Sequence, residues 1–344
     1  MGILSSARVL TLKSLRGTGV SHAIGSSTWR RRRLLILAYH GISLRDEHEW
    51  DPTLFVSPAF LERRLELLRR RGCAVLDLGE AVERLARGDL PPRAVVLTFD
   101  DGLYDFLAAG VPLLRAYQMP ATLYSSTYHT LDQRAVFNVA GRYALWRSAV
   151  PGIDLSEILG TGSVFERARF GEAWQAILAD CERRDASAED KDTVLERLCA
   201  ALDVDLVAIR SERLFTLLTL EELGEVAGAG FDVQLHTHRH RSPLEREALR
   251  REIEDNRALL AGVTSRPLTH FCYPSGRYGL EQLPWLRELG IASATTCRPD
   301  LVPPGCDPLL LPRFIDTMMI SDEVFCAWLD GTMSLLPRRR RWAS

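Results

Sequence analysis

The stretch Arg93-Ala-Val-Val-Leu-Thr-Phe-Asp-Asp-Gly102 leaves few folds open. Ala94 to Phe99 is an apolar run rich in β-branched residues, which reads as a buried strand. It ends in two adjacent carboxylates, Asp100 and Asp101, and then a glycine. Leu103 to Tyr117 is helix-like, so the unit is strand, acidic turn, helix. In α/β folds that end of a strand is where chemistry is placed. Neighbouring carboxylates repel unless a cation or a proton intervenes, so one can hold a metal while the other takes a proton. Taken alone, the pair also reads as an Asx-type turn capping the next helix.

A second stretch adds weight to the chemical reading. Phe231-Asp-Val-Gln-Leu-His236 alternates like a strand and continues into Thr237-His238-Arg239-His240. Histidine is the common imidazole ligand of zinc and its neighbours, and zinc also accepts carboxylate oxygen. One Asp with two His leaves open positions for water and substrate.

Between and around these stretches, strands and helices alternate. Leu34 to Tyr39 is an apolar strand tipped by His40 and Gly41. Ser57-Pro58 opens a helix, with Ser as the N-cap and Pro at the first helical position. Further strands are expected at Cys73–Leu78, Ala121–Ser126, Leu268–Tyr273, Ile291–Thr296 and Leu309–Ile315. This βαβ rhythm predicts a parallel sheet or barrel. From about 129 to 218 strand signal fades, and Phe165–Arg184 and Ala188–Asp203 look helical. We read 129–218 as a helical insertion, a lid or substrate-selecting subdomain, in a body spanning 34–330.

Charge is laid out unevenly. The net charge is −2, yet eleven basic residues lie at the ends: Arg8, Lys13, Arg16, Arg30 to Arg33, and Arg338 to Arg341. Without them the body carries 32 basic residues against 45 acidic. We therefore set off a basic N-terminal segment, 1–33, and a basic C-terminal tail, 331–344. Such ends suit anionic lipid headgroups or stand as solvated tails. Nucleic acid is not an expected partner, because no aromatics are interleaved and the acidic body repels phosphate. No stretch reads as a membrane span or a signal peptide, and a peripheral amphipathic anchor is compatible with 1–28. The seven cysteines form no CxxC pair and several sit in apolar runs, which points to a reducing, cytoplasmic setting, at the membrane surface if the basic ends dock there.

Thr98-Phe99-Asp100-Asp101-Gly102, followed by His236-Thr237-x-x-His240, resembles the first two motifs of the polysaccharide deacetylases. That resemblance covers roughly 34–128 and 219–316. It implies a distorted (β/α) barrel of about seven strands and a metal-dependent hydrolase that removes N-acetyl groups from N-acetylhexosamine units. The substrate would be an N-acetylated polysaccharide, an exopolysaccharide, or its lipid-linked precursor. It assigns the metal to Asp101, His236 and His240, with His238 the rival ligand, and makes Asp100 the base. Zinc is the first choice of ion, with cobalt or nickel as alternatives.

Amide hydrolysis also needs an oxyanion stabiliser and an acid for the leaving amine. Tyr273-Pro274-Ser275-Gly276 stands where the family has its third motif, and the N–H of Ser275 is the candidate oxyanion donor. The widespread form of that motif begins with an Arg that orients the base. Here the region reads Phe271-Cys272-Tyr273, and Arg313 can supply the guanidinium instead. Many relatives carry the acid in a C-terminal Leu-x-His-Asp stretch, but no His follows Cys306. Tyr39-His40-Gly41 resembles the permuted layout of the poly-N-acetylglucosamine deacetylases, which makes His40 the candidate acid. Two other readings remain: a glycan-binding scaffold with a decayed site, and a metal phosphoesterase, which would want a second metal set.

Overall fold

The computed structural model describes residues 3–160 and 162–336. Two compact units emerge, one built from Met1–Tyr128 with Leu220–Ser344 and the other from His129–Thr219.

The first unit is organised on eight strands: β1 Leu35–Tyr39, β2 Ala74–Val75, β3 Ala94–Phe99, β4 Thr122–Ser125, β5 Asp232–Leu235, β6 His270–Cys272, β7 Ser293–Thr295 and β8 Phe314–Ile315. Seven of them follow the order β7-β6-β5-β4-β3-β1-β8, and every pairing is parallel. The two-residue β2 pairs with the start of β3, on the edge whose far end pairs with β4. A single bridge from Thr295 to Leu311 joins β7 to the segment entering β8, so the curled sheet closes into a distorted barrel. The expected strand over Leu309–Ile315 is thereby divided. Pro308–Leu310 is a 3-10 turn, Leu311 makes the bridge, and pairing resumes only at Phe314. Asp307 caps that turn through its side chain, and Pro at the turn's first position has no N–H for a ladder.

Strand period places residues of equal parity on one face. Ile36 of β1, Ala94 and Val96 of β3, Tyr124 of β4, Cys272 of β6, and Leu311 share one buried cluster. Contacts among strands so far apart in sheet order require an inner barrel face. The same parity carries that face on to Thr98 and Asp100 in one direction and to Arg313 in the other.

The N-terminal basic segment is helical, at Ile3–Gly17, Val20–Ser26 and Thr28–Arg31. Arg30 corrects the picture of a solvated basic end. It is wholly buried and donates to the carbonyls of Leu329, Arg33 and Ala94, at 2.8, 2.7 and 3.4 Å. Beyond the helical turn Thr332–Leu335, the Arg338 to Arg341 run of the C-terminal tail lies outside the described residues. Among the described residues, no helix is long and apolar enough to cross a membrane.

The second unit packs the helices Phe137–Arg147, Phe170–Arg183, Ala188–Ala201 and Leu206–Ser211 over Tyr143, Trp174, Ile177 and Leu198. It also holds a short antiparallel pair, Gly152–Asp154 with Val164–Glu166. The helix expected from Phe165 therefore starts at Phe170, because its first residues belong to that pair.

Candidate active site

Asp100 and Asp101 leave β3 in different directions. Asp100 continues the inner face and is buried. Asp101 adopts a left-handed φ of 75° and Gly102 one of 82°, which turns the chain and swings the second carboxylate toward the strand ends. The turn is tight: a Cβ on Gly102 would stand 2.3 Å from Ser125 Oγ.

Asp101 Oδ1 lies 3.2 Å from His236 Nε2 and 3.1 Å from His240 Nε2. Ligands held about 2.0–2.1 Å from a tetrahedral ion stand about 3.3 Å apart, so one carboxylate oxygen and two imidazole nitrogens fit a single zinc-like ion. His236 is prepared for that role. Its Nδ1 donates to the Cys272 carbonyl at 2.9 Å, which leaves Nε2 on the Asp101 side as the nitrogen that would bind an ion. Its backbone N–H is taken by Asn256 Oδ1 at 3.0 Å. His238 turns elsewhere, its Nδ1 2.9 Å from Thr127 Oγ1, and takes no part in the group.

Asp100 is gripped by Arg313 through Nη1–Oδ1 at 2.7 Å and Nη2–Oδ2 at 2.8 Å. Arg313 is fully buried, 5.7 Å from the centre of the Tyr124 ring, and also donates to Thr98 Oγ1 and the Thr296 carbonyl. Burial alone would push the Asp100 carboxyl up; the Arg313 charge and hydrogen bonds, then His40 and His236, outweigh it and hold the group below the ordinary carboxylate range. For Asp101 burial is again opposed, here by the two histidines, and the result is well below the ordinary range. Asp100 thus stays ionised beside the ligand group.

His40 Nε2 stands 3.8 Å from Asp100 Oδ2, and its side chain is partly exposed. Ser275 sits in the turn after β6 with a left-handed φ of 55°. Its N–H makes no hydrogen bond with any described residue. Tyr273, the other candidate oxyanion or substrate residue, opens the same turn. Its ring is buried between Phe271 and Tyr278, and its hydroxyl donates to the Leu309 carbonyl at 3.0 Å, so only its backbone is left to shape the turn.

Two further residues near the site, Asn256 and Glu252, are not among the candidates that the sequence motifs mark. Both are buried polar residues on the helix Arg246–Leu260, at positions that continue the stripe of Leu249, Ile253 and Leu260. A polar residue inside an apolar helical stripe was the available signal.

A family model described as polysaccharide deacetylase matches residues 87–142 and 208–294. Over 99 residues, 28% of this chain, the sequence is 29% identical to the poly-beta-1,6-N-acetyl-D-glucosamine N-deacetylase of Escherichia coli strain K12, a match that spans 14% of that relative's length. The solved structure of Streptococcus pyogenes deacetylase PplD in complex with acetate superposes with a TM-score of 0.57 at 20% identity, covering 86% of this chain and 98% of that one. IcaB from Ammonifex degensii gives a TM-score of 0.54 at 17% identity, covering 87% and 97%. At these identities the structural likeness is one of fold.

Proposed function

The chain belongs to the polysaccharide deacetylase family, and from that premise we propose a metal-dependent hydrolase that removes N-acetyl groups from N-acetylhexosamine units of a polysaccharide or its lipid-linked precursor. The observation that carries the reading is the convergence of Asp101, His236 and His240 beside an ionised, Arg-bound Asp100. Asp101, His236 and His240 would hold the ion. When bound, a zinc, cobalt or nickel ion lowers the pKa of water and polarises the amide carbonyl.

The remaining work falls to the chain's own groups. Asp100, kept ionised by Arg313, accepts the proton of the attacking water. A C–O bond forms, the amide C–N bond breaks, and acetate and a free amine result. The Ser275 N–H supports the oxyanion from a turn whose backbone is already bent. His40, across from the base, gives the leaving nitrogen its proton, since an amide anion is a very poor leaving group.

A phosphoesterase would call for a second ion. The candidate ligand groups among the described residues both contain His236, which favours a single centre. All seven cysteines are free, which supports a reducing, cytoplasmic setting, and the basic ends support contact with an anionic membrane surface.

The test is release of acetate and free amine from β-1,6-linked N-acetylglucosamine oligomers, chito-oligosaccharides and lipid-linked N-acetylglucosamine. Wild type should release both from at least one of them, and His40→Ala should be slowed. Metal-loaded wild type that binds these glycans yet releases no acetate would support the scaffold reading instead.

A further inference from the structure

The two histidine ligands are held in different ways. His236 has its ring locked from behind by the Cys272 carbonyl. His240 has a half-exposed side chain, and its only hydrogen-bonding or charged partner among the described residues is Asp101. Its position is therefore decided by the backbone that presents it. That backbone is a strained loop, with left-handed φ values of 62° at Thr237 and 52° at His240. Non-glycine residues are strained in that region, so the surroundings must hold them.

Thr237 Oγ1 accepts the Arg241 N–H at 3.0 Å and the His238 carbonyl accepts the Thr127 and Tyr128 N–H groups, but the residues flanking His240 are held chiefly by one buried carboxylate. Glu252, 2% exposed, accepts the Arg239 N–H at 2.7 Å, Arg239 Nη1 at 3.3 Å and Arg241 Nε at 2.9 Å. Its backbone carbonyl accepts the His238 N–H at 2.9 Å. The residues on both sides of His240 are thus tied to a single helical position. One turn along the same helix, Asn256 holds the His236 N–H and donates to the Ser125 carbonyl and Thr127 Oγ1. The rigid helix Arg246–Leu260 is the template on which the ligand loop is set.

We propose that Glu252 is a positioning residue that sets the place of His240 and thereby the affinity of the site for its ion. The inference rests on the metal-centred reading above. Charge-assisted bonds to two guanidiniums and a backbone N–H suit this task better than a neutral group would, because they fix the loop in three directions at once.

The experiment measures Zn2+ affinity of the purified full chain by chelator competition, and amide hydrogen exchange of segment 237–241 in the metal-free protein. Glu252→Ala should weaken Zn2+ binding by about 10–100-fold and speed exchange at the Arg239 amide. Saturating Zn2+ should restore much of any lost acetate release, which a merely misfolded variant would not allow. Glu254→Ala, an exposed position on the same helix paired with Arg250, should leave affinity unchanged. If Glu252→Ala does not fold, Glu252→Gln carries the test. It keeps an acceptor oxygen but loses the charge, and a several-fold loss of affinity is expected. Wild-type affinity in whichever of these variants folds would overturn the proposal and leave the functional reading standing. Folded wild type that binds no transition metal would overturn both.

Discussion

Arg313 and Asp100, separated by 213 residues of chain, meet through two parallel buried hydrogen bonds of 2.7 and 2.8 Å. This guanidinium arrives from the segment that closes the barrel, immediately before β8. In the proposed mechanism it takes up the base-orienting position that the third motif here leaves without an arginine. Barrel closure brings the two together: β1 lies between β3 and β8, and the inner faces of β3 and of the closing segment point at one another.

Breaking that pair should be costly. Arg313→Met leaves a buried carboxylate without its cation, and we expect a loss of about 3–5 kcal/mol in urea unfolding. Arg313→Lys keeps the charge but not the planar fork, and should recover only part of that stability. Equal urea midpoints for wild type and Arg313→Met would contradict the arrangement.

The two adjacent aspartates should separate cleanly by measurement. Asp101→Asn should strip the ion, read as metal content after dialysis. Asp100→Asn should keep the ion and lower acetate release by about 100-fold or more. The reverse pattern would exchange their roles.

Gly102 should tolerate no side chain. Its φ of 82° and its contact with Ser125 mean that Gly102→Ala meets both backbone strain and a clash. An expected destabilisation of about 2 kcal/mol or more would appear as a lowered unfolding midpoint. Ser125→Ala in the same chain would relieve the clash with the hydroxyl but not the strain, so recovery should be partial.

His270 on β6 should give the protein an acid-side weakness. Burial lowers its pKa to about 4, against the opposing charges of Asp77 and Glu83, and its Nδ1 lies 2.8 Å from Ser293 Oγ. The unfolded chain takes up a proton near pH 6.5 that the native imidazole refuses until about 4. Stability is therefore full above that upper value and drains away as the pH falls through the window, by at most about 3 kcal/mol. Urea midpoints at pH 7 and pH 5 should differ for wild type, and the difference should shrink in His270→Gln. An unchanged gap would assign the acid sensitivity to other groups.

The local pattern was informative where periodicity and side-chain chemistry coincide. The β-branched run ahead of Asp100, the alternation into His236 and the helix-strand rhythm made a parallel barrel readable, because strand period and burial are properties of neighbouring residues. Boundaries are less legible where a local cap or a short strand pairing wins over propensity, as at Pro308–Leu310 and at the start of the helix Phe170–Arg183.

What the sequence alone determined is an inventory: two carboxylates at one strand tip, a histidine cluster at another, a histidine after the first strand and a guanidinium near the last. What the tertiary structure alone decided is their partners. Arg313 on Asp100, His238 against Thr127 and Glu252 beneath the 237–241 loop all depend on which strands curl into contact and which helix face lies behind them. Such pairings join residues tens to hundreds of positions apart. Their geometry is fixed by parity on an inner barrel face and by burial, and neither leaves a mark in the spacing along the chain.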